Sequence, residues 1–283
     1  MTITLAGRYN RPMHLGTVVG IGWRAADVLA GERLAHVVAP LRASIYVRAR
    51  GELLWLGGPG ELMHCRAVLF AVAPDASAVA AGDTMSVPPC TGFPWRPESP
   101  TTDAREALRR GAERLVGRVA ALGEPRGFGA WLVGSALGFP LTGAGKAADA
   151  LAAACARDDA SAAAHAARDL LGLGDGLTPS GDDFVGGAFF ARAMLTQRGE
   201  ADGAAWRQAA SAVRTAASGA TNAISAALLG DLLVGHGWSP LHDLVGAFIC
   251  DDEASAMDAA SRLARLGHSS GWDLLAGLVA GLR

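Results

Sequence analysis

The stretch Gly172-Leu-Gly-Asp-Gly-Leu-Thr-Pro-Ser-Gly-Asp-Asp-Phe-Val-Gly-Gly187 directly precedes an apolar run. Glycines at this density let the backbone adopt positive φ angles and approach a ligand closely. Ser180 and Asp183 have the spacing of a helix N-cap and its capping-box partner. The stretch therefore predicts a glycine-rich loop that opens into an apolar helix. The unpaired N–H groups and positive dipole end of such a helix favour an anion.

A second segment, close to the end of the chain, repeats the frame Ser-Gly-x-Asp-x-x-x-Gly. Ser180, Gly181, Asp183 and Gly187 correspond in order to Ser270, Gly271, Asp273 and Gly277. We predict two loop-to-helix junctions that face each other across one pocket and hold a small ligand from both sides. A simpler interpretation is two Ser-capped helix starts whose glycines allow close helix packing. That interpretation leaves the additional polar residues of the first loop unexplained: Asp175, Thr178, Pro179 and Asp182.

The predicted ligand-binding residues belong to the two loops and to a third helix start, Thr221-Asn222, which capping alone would also explain. They are Gly174, Gly176, Thr178, Ser180, Gly181, Thr221, Asn222, Ser269, Ser270, Gly271 and Asp273. The backbone amides near Gly181 and Gly271 are predicted to stabilise developing negative charge. Asp182, Asp183 and His268 are predicted to be catalytic. The two aspartates would position an NH2 group or bind Mg²⁺, and His268 would orient or protonate the substrate.

The charge pattern of the first loop restricts its ligand. Helix-start N–H groups favour a phosphate or carboxylate, whereas Asp175, Asp182 and Asp183 would repel a bare anion. A ureido or carbamoyl compound resolves the conflict because it offers NH2 donors to the carboxylates and an anionic end to the amides. A nucleotide or acyl phosphate resolves it if Mg²⁺ bridges the phosphate to the acids. The residues leave both ligands open, and Mg²⁺ is the one cofactor they suggest.

Composition excludes several classes of protein. The chain has 283 residues, of which 51% are hydrophobic and 18% charged, and its net charge is −2. This balance is typical of a soluble globular protein and argues against a nucleic-acid surface. The start of the chain lacks the pattern of a signal peptide, and no apolar run approaches the ~18 residues of a membrane span. Four scattered cysteines without metal-ligand spacing indicate reduced thiols, so we expect a cytoplasmic protein.

Familiar catalytic motifs do not fit. Gly143-Ala-Gly-Lys146 lacks the first glycine and the final hydroxyl of a Walker loop, because Pro140 and Ala147 stand at those positions. The first loop has Leu177 where the third Rossmann glycine would be. Ser180 is not within a Gly-x-Ser-x-Gly elbow and has no histidine nearby in sequence, which argues against a serine nucleophile.

The chain is predicted to be an α+β protein in which a small antiparallel β domain or barrel precedes a larger helical domain. Residues 1–100 are mainly β, with strands near 34–38, 43–47, 53–56 and 67–72. Arg50-Gly51 is predicted to turn a hairpin, and residues 24–30 to form a short helix. A proline-rich strap at 87–100 is predicted to be irregular, and Phe93 and Trp95 to dock it on the domain.

Residues 101–283 are predicted to form an Ala/Gly-rich α-helical domain that carries both Ser-Gly-x-Asp loops. Small side chains let helices approach closely, which favours a compact bundle around the loops. Helices are predicted over 102–122, 127–138, 144–156, 159–171, 183–197, 203–217, 221–234, 240–250, 253–266 and 271–281.

The motifs together resemble a known family. Gly-Leu-Gly-x-Gly-Leu-Thr-Pro-Ser-Gly-Asp-Asp, a Thr-x-x-Ile-Ser helix start and the final Ser-Ser-Gly-x-Asp-x-x-x-Gly are similar to a bacterial family that includes the third subunit of oxamate carbamoyltransferase, from anaerobic allantoin degradation. The resemblance extends from about residue 125 to the end. It implies a subunit that acts beside two larger partners to exchange oxalurate and phosphate for oxamate and carbamoyl phosphate. Where the family often has proline, this chain has Asp175.

These observations predict a subunit of a carbamoyltransferase-type enzyme that binds a small carbamoyl- or phosphate-bearing ligand at helix N-termini. Two alternatives stay open. One is a non-catalytic ligand-sensing or scaffold subunit, and the other is a free-standing Mg²⁺-dependent phosphotransferase. The sequence does not decide whether the chain is itself an enzyme.

Overall fold

A computed structural model describes residues 15–31, 33–98, 104–197 and 203–283. The chain forms two compact units that divide between Arg96 and Pro97. The first contains a curled six-stranded sheet that resembles half a barrel, and the second is helical. This arrangement confirms the predicted α+β class.

The sheet of the first unit has the strand order β1-β5-β4-β3-β2-β6. Its strands are β1 (Val18–Ile21), β2 (Leu34–Pro40), β3 (Ile45–Ala49), β4 (Glu52–Gly57), β5 (Ala67–Phe70) and β6 (Thr84–Ser86). Helix α1 (Trp23–Leu29) follows β1, as predicted, and a single 3-10 turn covers Ala76–Ala78. The apolar residues of the strands and of α1 pack into one core.

The four predicted strands are present, but two further strands and one pairing direction were missed. Strands β1 and β6 form the edges of the sheet and are too short to show an alternating pattern. Strands β4 and β5 pair in parallel, which corrects the expectation of a purely antiparallel sheet. The predicted hairpin is confirmed between β3 and β4. Arg50 and Gly51 have φ angles of 49° and 81°, as a two-residue turn with left-handed central residues requires.

The proline-rich strap is described as far as residue 98 and contains no helix or regular strand. Trp95 fixes it to the first unit: its N–H donates to the Ile21 carbonyl at 2.7 Å, and its carbonyl accepts from the Trp23 N–H at 3.1 Å. Phe93, in contrast, is fully exposed. The docking prediction is therefore confirmed for Trp95 and wrong for Phe93.

The second unit contains ten helices in its described part. They are α2 (Arg105–Arg118), α3 (Gly129–Leu132), α4 (Gly145–Ala156), α5 (Ala160–Arg168), α6 (Ser180–Gln197), α7 (Gly203–Ala220), α8 (Ala223–Leu232), α9 (Ser239–Ile249), α10 (Glu253–Ala264) and α11 (Ser270–Leu282). Each predicted helix has a counterpart, although the predicted start of the first, at 102–103, lies outside the described residues. The helix predicted over 127–138 is a single turn, because Gly134 leaves the helical region with a φ of 73°.

Helices α6 and α11 form the centre of the second unit and cross with their backbones in contact. A Cβ added at Gly187 would lie 2.3 Å from the Leu274 carbonyl oxygen, and one added at Gly277 would lie 2.0 Å from the Phe184 carbonyl oxygen. Because Gly187 corresponds to Gly277 and Phe184 to Leu274 in the repeated frame, these contacts are reciprocal. The two helices are therefore related by an approximate two-fold axis.

The repeat is longer than the sequence frame suggested, since the order α4, α5, loop, α6 recurs as α9, α10, loop, α11. Asp158 and Asp251 end α4 and α9 with φ angles of 56° and 57°. The next residues, Asp159 and Asp252, cap α5 and α10 through their carboxylates. The second unit therefore contains two copies of one three-helix motif.

Both loops also close in the same way. The Gly181 N–H donates to the Leu173 carbonyl, and the Gly271 N–H donates to the Leu266 carbonyl. The segment between donor and acceptor is longer in the first loop, and Asp175 lies within its additional length. The two halves are thus similar at their helices and different at their loops.

Two further features concern the described residues only. All four cysteines have free thiols. No helix in the described ranges combines the length and the apolar character that crossing a bilayer requires.

Candidate functional site

The two Ser-Gly-x-Asp loops line one open pocket of the second unit, with a volume of about 630 Å³. Residues 174–178 and Ser180 contribute one side, residues 267–270 the facing side, and parts of the segment 125–141 a third wall. The predicted convergence of the two loops is therefore present. The volume lies within the usual range for small-molecule sites.

Glycine conformation shapes the first loop. Gly172, Gly174 and Gly176 have φ angles of 75°, 112° and 92°, which disfavour residues with a side chain. A Cβ on Gly174 would also lie 2.8 Å from the Ser180 nitrogen. The loop therefore folds tightly back onto the start of α6 and presents Thr178 and Ser180 to the pocket.

The N–H groups of Gly181 and Gly271, which lie among the amides expected to stabilise charge, are both used within the fold. The Gly181 N–H is bonded to Leu173 at 2.8 Å and the Gly271 N–H to Leu266 at 3.0 Å. Each glycine is instead required for packing, because an added Cβ would lie 1.9 Å or 1.7 Å from the carbonyl oxygen of Leu170 or Leu263 respectively. Gly181 and Gly271 let the start of α6 and of α11 approach the preceding helix, and the predicted amide role is corrected.

Side-chain hydroxyls, rather than backbone amides, form the floor of the pocket. Thr178 Oγ1 lies 2.9 Å from Ser270 Oγ, and Ser180 Oγ lies 3.2 Å from Ser269 Oγ. Each pair joins the first loop to the second. The pocket is therefore closed at its base by two inter-loop hydrogen bonds between hydroxyls.

Each hydroxyl pair is bonded to a buried carboxyl group from behind. Ser270 and Thr178 lie close enough to Asp183 to lower its pKa by hydrogen bonding, and Ser180 and Ser269 act in the same way on Asp273. The aspartate of each copy of the frame thus bonds to the first serine of the other copy. This exchange follows from the approximate two-fold relation between α6 and α11.

Both carboxyl groups favour the protonated, neutral form more strongly than an ordinary aspartate does. Burial raises the pKa of Asp183 well above its usual value, and the charge of Asp273 raises it further. Burial also raises the pKa of Asp273 to about 7, although the Phe128 N–H, which donates at 2.6 Å, opposes the rise. The Oδ2 atoms of both groups are buried and have no hydrogen-bond partner.

Counting hydrogens explains why protonation suits this geometry. Thr178 Oγ1 and Ser270 Oγ are hydrogen bonded to each other, and both lower the pKa of Asp183 by hydrogen bonding, so three bonds can join these three groups. With an ionised carboxylate, the two hydroxyl hydrogens can complete only two of the three bonds. A proton on Asp183 supplies the third. Protonation therefore lets both hydroxyls accept as well as donate, while ionisation turns both hydrogens toward the carboxylate.

Asp182 faces away from the pocket, although it is adjacent to Asp183 in sequence. Its Oδ1 accepts from the Gly172 N–H at 2.8 Å, and its Oδ2 accepts from the hydroxyls of Ser225, at 2.6 Å, and Thr221. Both oxygens are thus occupied by protein donors. Asp182 joins the base of the first loop to the start of α8, which favours a structural role over the predicted catalytic and metal-binding roles.

Thr221 and Asn222 likewise support the first loop without lining the pocket. Asn222 Oδ1 caps α8 by accepting from the N–H groups of Ile224 and Ser225, both at 3.0 Å. Its Nδ2 donates to the Leu177 carbonyl at 3.0 Å. These two residues therefore hold the loop from behind, and the structure does not bring them to the predicted binding surface.

His268 and Asp175 lie at the rim of the pocket, where both side chains are exposed. The His268 carbonyl accepts from Arg126 Nη1 at 3.2 Å, which connects the second loop to the third wall. The two loops thus present different ionisable groups at the rim: a carboxylate on the first and an imidazole on the second.

The third wall corrects the sequence prediction, which places a long helix over 127–138. Gly127, with a φ of 52°, lets the chain turn directly over Asp273, since an added Cβ would lie 2.1 Å from Asp273 Oδ1. Phe128 and Trp131 then pack on the Phe184 ring with centroid distances of 4.5 and 5.3 Å. The glycines on both sides of Phe128 were the available signal for an irregular segment.

The described residues fit Mg²⁺ poorly. They contain no group of three or more histidine, cysteine or acidic side chains arranged to hold a metal ion. Mg²⁺ prefers octahedral oxygen coordination, which usually includes ionised carboxylates. The two oxygens of Asp182 are occupied and the Asp183 carboxyl favours its proton, so the predicted Asp182–Asp183 pair does not form such a set.

Residues 170–282 match the family model described as oxamate carbamoyltransferase subunit AllH. This match supports membership of that family over the matched residues. The match includes both pocket loops, the Thr221 helix start and α11, so the resemblance identified from the motifs is confirmed over this span. No significant match was found among curated proteins or among solved structures.

Proposed function

We propose that this chain is a subunit of an oxamate carbamoyltransferase-type enzyme, and that the pocket between its two Ser-Gly-x-Asp loops binds a small carbamoyl or ureido ligand with an anionic end. The observation that carries the proposal is the set of four pocket hydroxyls backed by two buried carboxyl groups. The AllH match over residues 170–282 supports the enzyme class and implies that other subunits act beside this chain.

The pocket chemistry suits an oxamate-like molecule. Hydroxyls donate to carbonyl or carboxylate oxygens and accept from NH2 groups, so one surface can serve both ends of such a ligand. Because the loops are related by an approximate two-fold axis, similar hydroxyls lie on both sides of the pocket. They can bind the two adjacent carbonyl groups of an oxamate-like ligand. The rim then distinguishes the two ends: Asp175 accepts from an NH2 group, and His268 interacts with the anion.

In the proposed reaction, a phosphate oxygen attacks the ureido carbonyl carbon of oxalurate. The carbon–nitrogen bond to the oxamate half breaks, a carbon–oxygen bond to phosphate forms, and the oxamate nitrogen takes up one proton. His268 is the candidate donor of that proton because its imidazole is exposed at the pocket rim. Asp183 and Asp273 act through the hydroxyls, by setting whether each one donates toward the ligand or toward the carboxyl group.

The energetic cost of the buried pair supports a functional role. Two neighbouring carboxyl groups with raised pKa values and unpartnered oxygens destabilise a fold, and strongly perturbed acids in pockets are typical of functional sites. An exposed aspartate with an ordinary pKa would be sufficient to cap a helix. Capping therefore does not account for Asp183 and Asp273.

The test is reconstitution of the chain with its partner subunits, followed by measurement of phosphate-dependent conversion of oxalurate. Ser270→Ala removes one pocket hydroxyl and should lower the rate about 10²–10³-fold, the loss typical when a transition-state donor is removed. Ser218→Ala is the matched control, because the Ser218 hydroxyl donates only to the Thr215 carbonyl on α7. Equal rates for the two variants would contradict the proposal.

The same reconstituted complex distinguishes the proposed enzyme subunit from a ligand-sensing subunit and from a phosphotransferase. Calorimetry with carbamoyl phosphate, on the chain alone and in the complex, should show binding that Ser270→Ala weakens. Binding without turnover in any combination of subunits would instead identify a ligand-sensing subunit. Mg²⁺-dependent nucleotide binding by the isolated chain would identify a phosphotransferase.

A further inference from the structure

A second pocket lies between α6, α7 and α8, and it shares no lining residue with the first. Its volume is about 350 Å³, large enough for one or two rings. The walls include Phe189 and Ala193 of α6, Trp206 of α7 and Leu233 at the end of α8. Val234 is half exposed at this surface.

The aromatic wall is held rigidly. The Arg192 guanidinium lies over the Trp206 ring with its central carbon 4.4 Å from the ring centroid. The indole Nε1–H of Trp206 donates to Asp158 Oδ1 at 2.7 Å, and Arg192 forms an ion pair with the same carboxylate. Phe189 packs edge-on against Trp206 at 5.7 Å. The aromatic wall is therefore fixed before any ligand arrives, which lowers the entropy cost of binding.

The charge of this pocket is positive. Arg207 and Arg214 are two turns apart on the same face of α7, and both side chains are exposed. Among the described residues neither is ion-paired, and no acidic side chain lines the pocket. Asp158 neutralises Arg192, yet the Arg192 Nε–H is buried without an acceptor. In the part of the chain that the structure describes, the apolar slot thus carries two arginines without an ion pair and one buried donor without an acceptor, a set that is complementary to an organic anion.

Gly230 keeps the slot open. It lies within α8 and lines the pocket, and a Cβ at this position would meet no atom within 4 Å. The space beside the helix is therefore a consequence of this residue, and a larger side chain would extend into it without disturbing existing contacts.

We infer that this pocket is a second binding site, specific for an organic anion with a flat apolar body, such as an aromatic carboxylate. The body packs between Ala193 and Val234, the accessible apolar residues of the wall, and the carboxylate pairs with Arg207 and Arg214. The site is independent of the proposed carbamoyl site because no residue is common to the two pockets.

Calorimetric titration of the full chain with 2-naphthoate tests the inference, and the neutral 2-naphthamide serves as matched probe. The naphthoate should bind with a Kd of about 1 mM or tighter, as expected for a ligand of this size. The amide should bind about tenfold more weakly, because it lacks the charge that the arginines recognise. Equal affinities of the two probes would overturn the inference.

Two variants locate the binding. Gly230→Phe should abolish naphthoate binding by filling the slot, whereas Gly117→Phe, at an equally open position on α2, should leave it unchanged. The double change Arg207→Gln and Arg214→Gln should weaken binding at least about tenfold. Undiminished naphthoate binding in Gly230→Phe would overturn the inference. Carbamoyl phosphate binding should be the same in Gly230→Phe as in the native chain, so failure here is distinguishable from failure of the proposed function.

Discussion

At the scale of single residues, Asp182 and Asp183 have opposite environments because successive helical residues point about 100° apart. Asp182 is surrounded by donors from the first loop and from α8, which satisfy both of its oxygens. Asp183 points to the crossing of α6 and α11 and keeps one oxygen without a partner. One aspartate therefore stabilises the fold, while the other costs stability and contacts the pocket hydroxyls.

Asp273→Asn should make the protein more stable at alkaline pH. The folded carboxyl has a pKa of about 7 against an ordinary value of 3.8, so the folded state holds a proton that the unfolded chain has lost. The free energy of unfolding therefore decreases as pH rises from about 4 to 7. Asparagine keeps the acceptor for the Phe128 N–H and cannot ionise. At pH 8 the variant should gain up to about 4 kcal/mol over the native chain.

Denaturant unfolding at pH 5 and pH 8 measures this effect. Ser218→Ala provides the control, because this exposed serine on α7 carries no ionisable group and its hydroxyl donates only to the Thr215 carbonyl. If Asp273→Asn kept the full pH dependence of the native chain, the environment derived for this carboxyl group would be incorrect.

Asp182→Asn should reduce stability without weakening ligand binding. The amide group replaces one acceptor by a donor, so the hydroxyls of Thr221 and Ser225 must turn to accept and lose their charge-assisted bonds to the carboxylate. The expected loss is about 1–3 kcal/mol in the free energy of unfolding. Denaturation and oxamate titration of the same variant measure both quantities. Native stability combined with lost binding would return Asp182 to the site itself.

At the scale of elements, the crossing of α6 and α11 determines the pocket, because it brings each loop beside the other and exchanges their aspartate–serine bonds. The crossing depends on bare backbone at the contact: Gly187 packs on the Leu274 carbonyl and Gly277 on the Phe184 carbonyl. Any side chain there would push the helices apart and open the hydroxyl pairs.

Gly277→Ala should therefore destabilise the protein by about 1–3 kcal/mol or more, as overpacking in a core does. The matched control is Gly246→Ala on α9, where an added Cβ meets no atom within 4 Å. That change should stabilise the protein by up to about 1 kcal/mol through helix propensity. Thermal unfolding of both variants tests the difference, and a neutral Gly277→Ala would show that the helices do not touch as described.

Three helices were predictable from the sequence because Asp159, Asn222 and Asp252 cap the starts of α5, α8 and α10. The full internal repeat was also visible in principle: Asp-Asp is followed by Leu-x-x-Leu-Gly in both 158–174 and 251–267. It was missed because the unequal loops change the spacing between the copies. The parallel pairing of β4 and β5 could not be predicted, since strand direction depends on the path of the connection.

Side-chain direction was the main obstacle in predicting the site. The sequence identified the loops and their hydroxyls, and Thr178, Ser180, Ser269 and Ser270 do line the pocket. It could not show that the Gly181 N–H is used within the fold. The spacing of residues along the sequence does not reveal which hydrogen-bond donors are already bonded within the folded chain.

At the scale of the whole molecule, the helical unit carries two pockets of different character along α6. The first, at the start of α6, is polar and contains the hydroxyl pairs, and the second, toward the end of α6, is apolar with arginines. The AllH match begins at residue 170 and contains the two loops of the first pocket, whereas the third wall at 125–141 lies before it. The proposed function therefore depends on the duplicated three-helix motif rather than on the β unit.

The most direct test of this account is a crystal structure of the chain with oxamate bound. We expect the ligand between the two loops, with one end hydrogen bonded to Thr178 or Ser180 and the other to Ser269 or Ser270. Oxamate bound elsewhere, or contacting only one of the two loops, would contradict the claim that the repeated Ser-Gly-x-Asp motifs form one binding site.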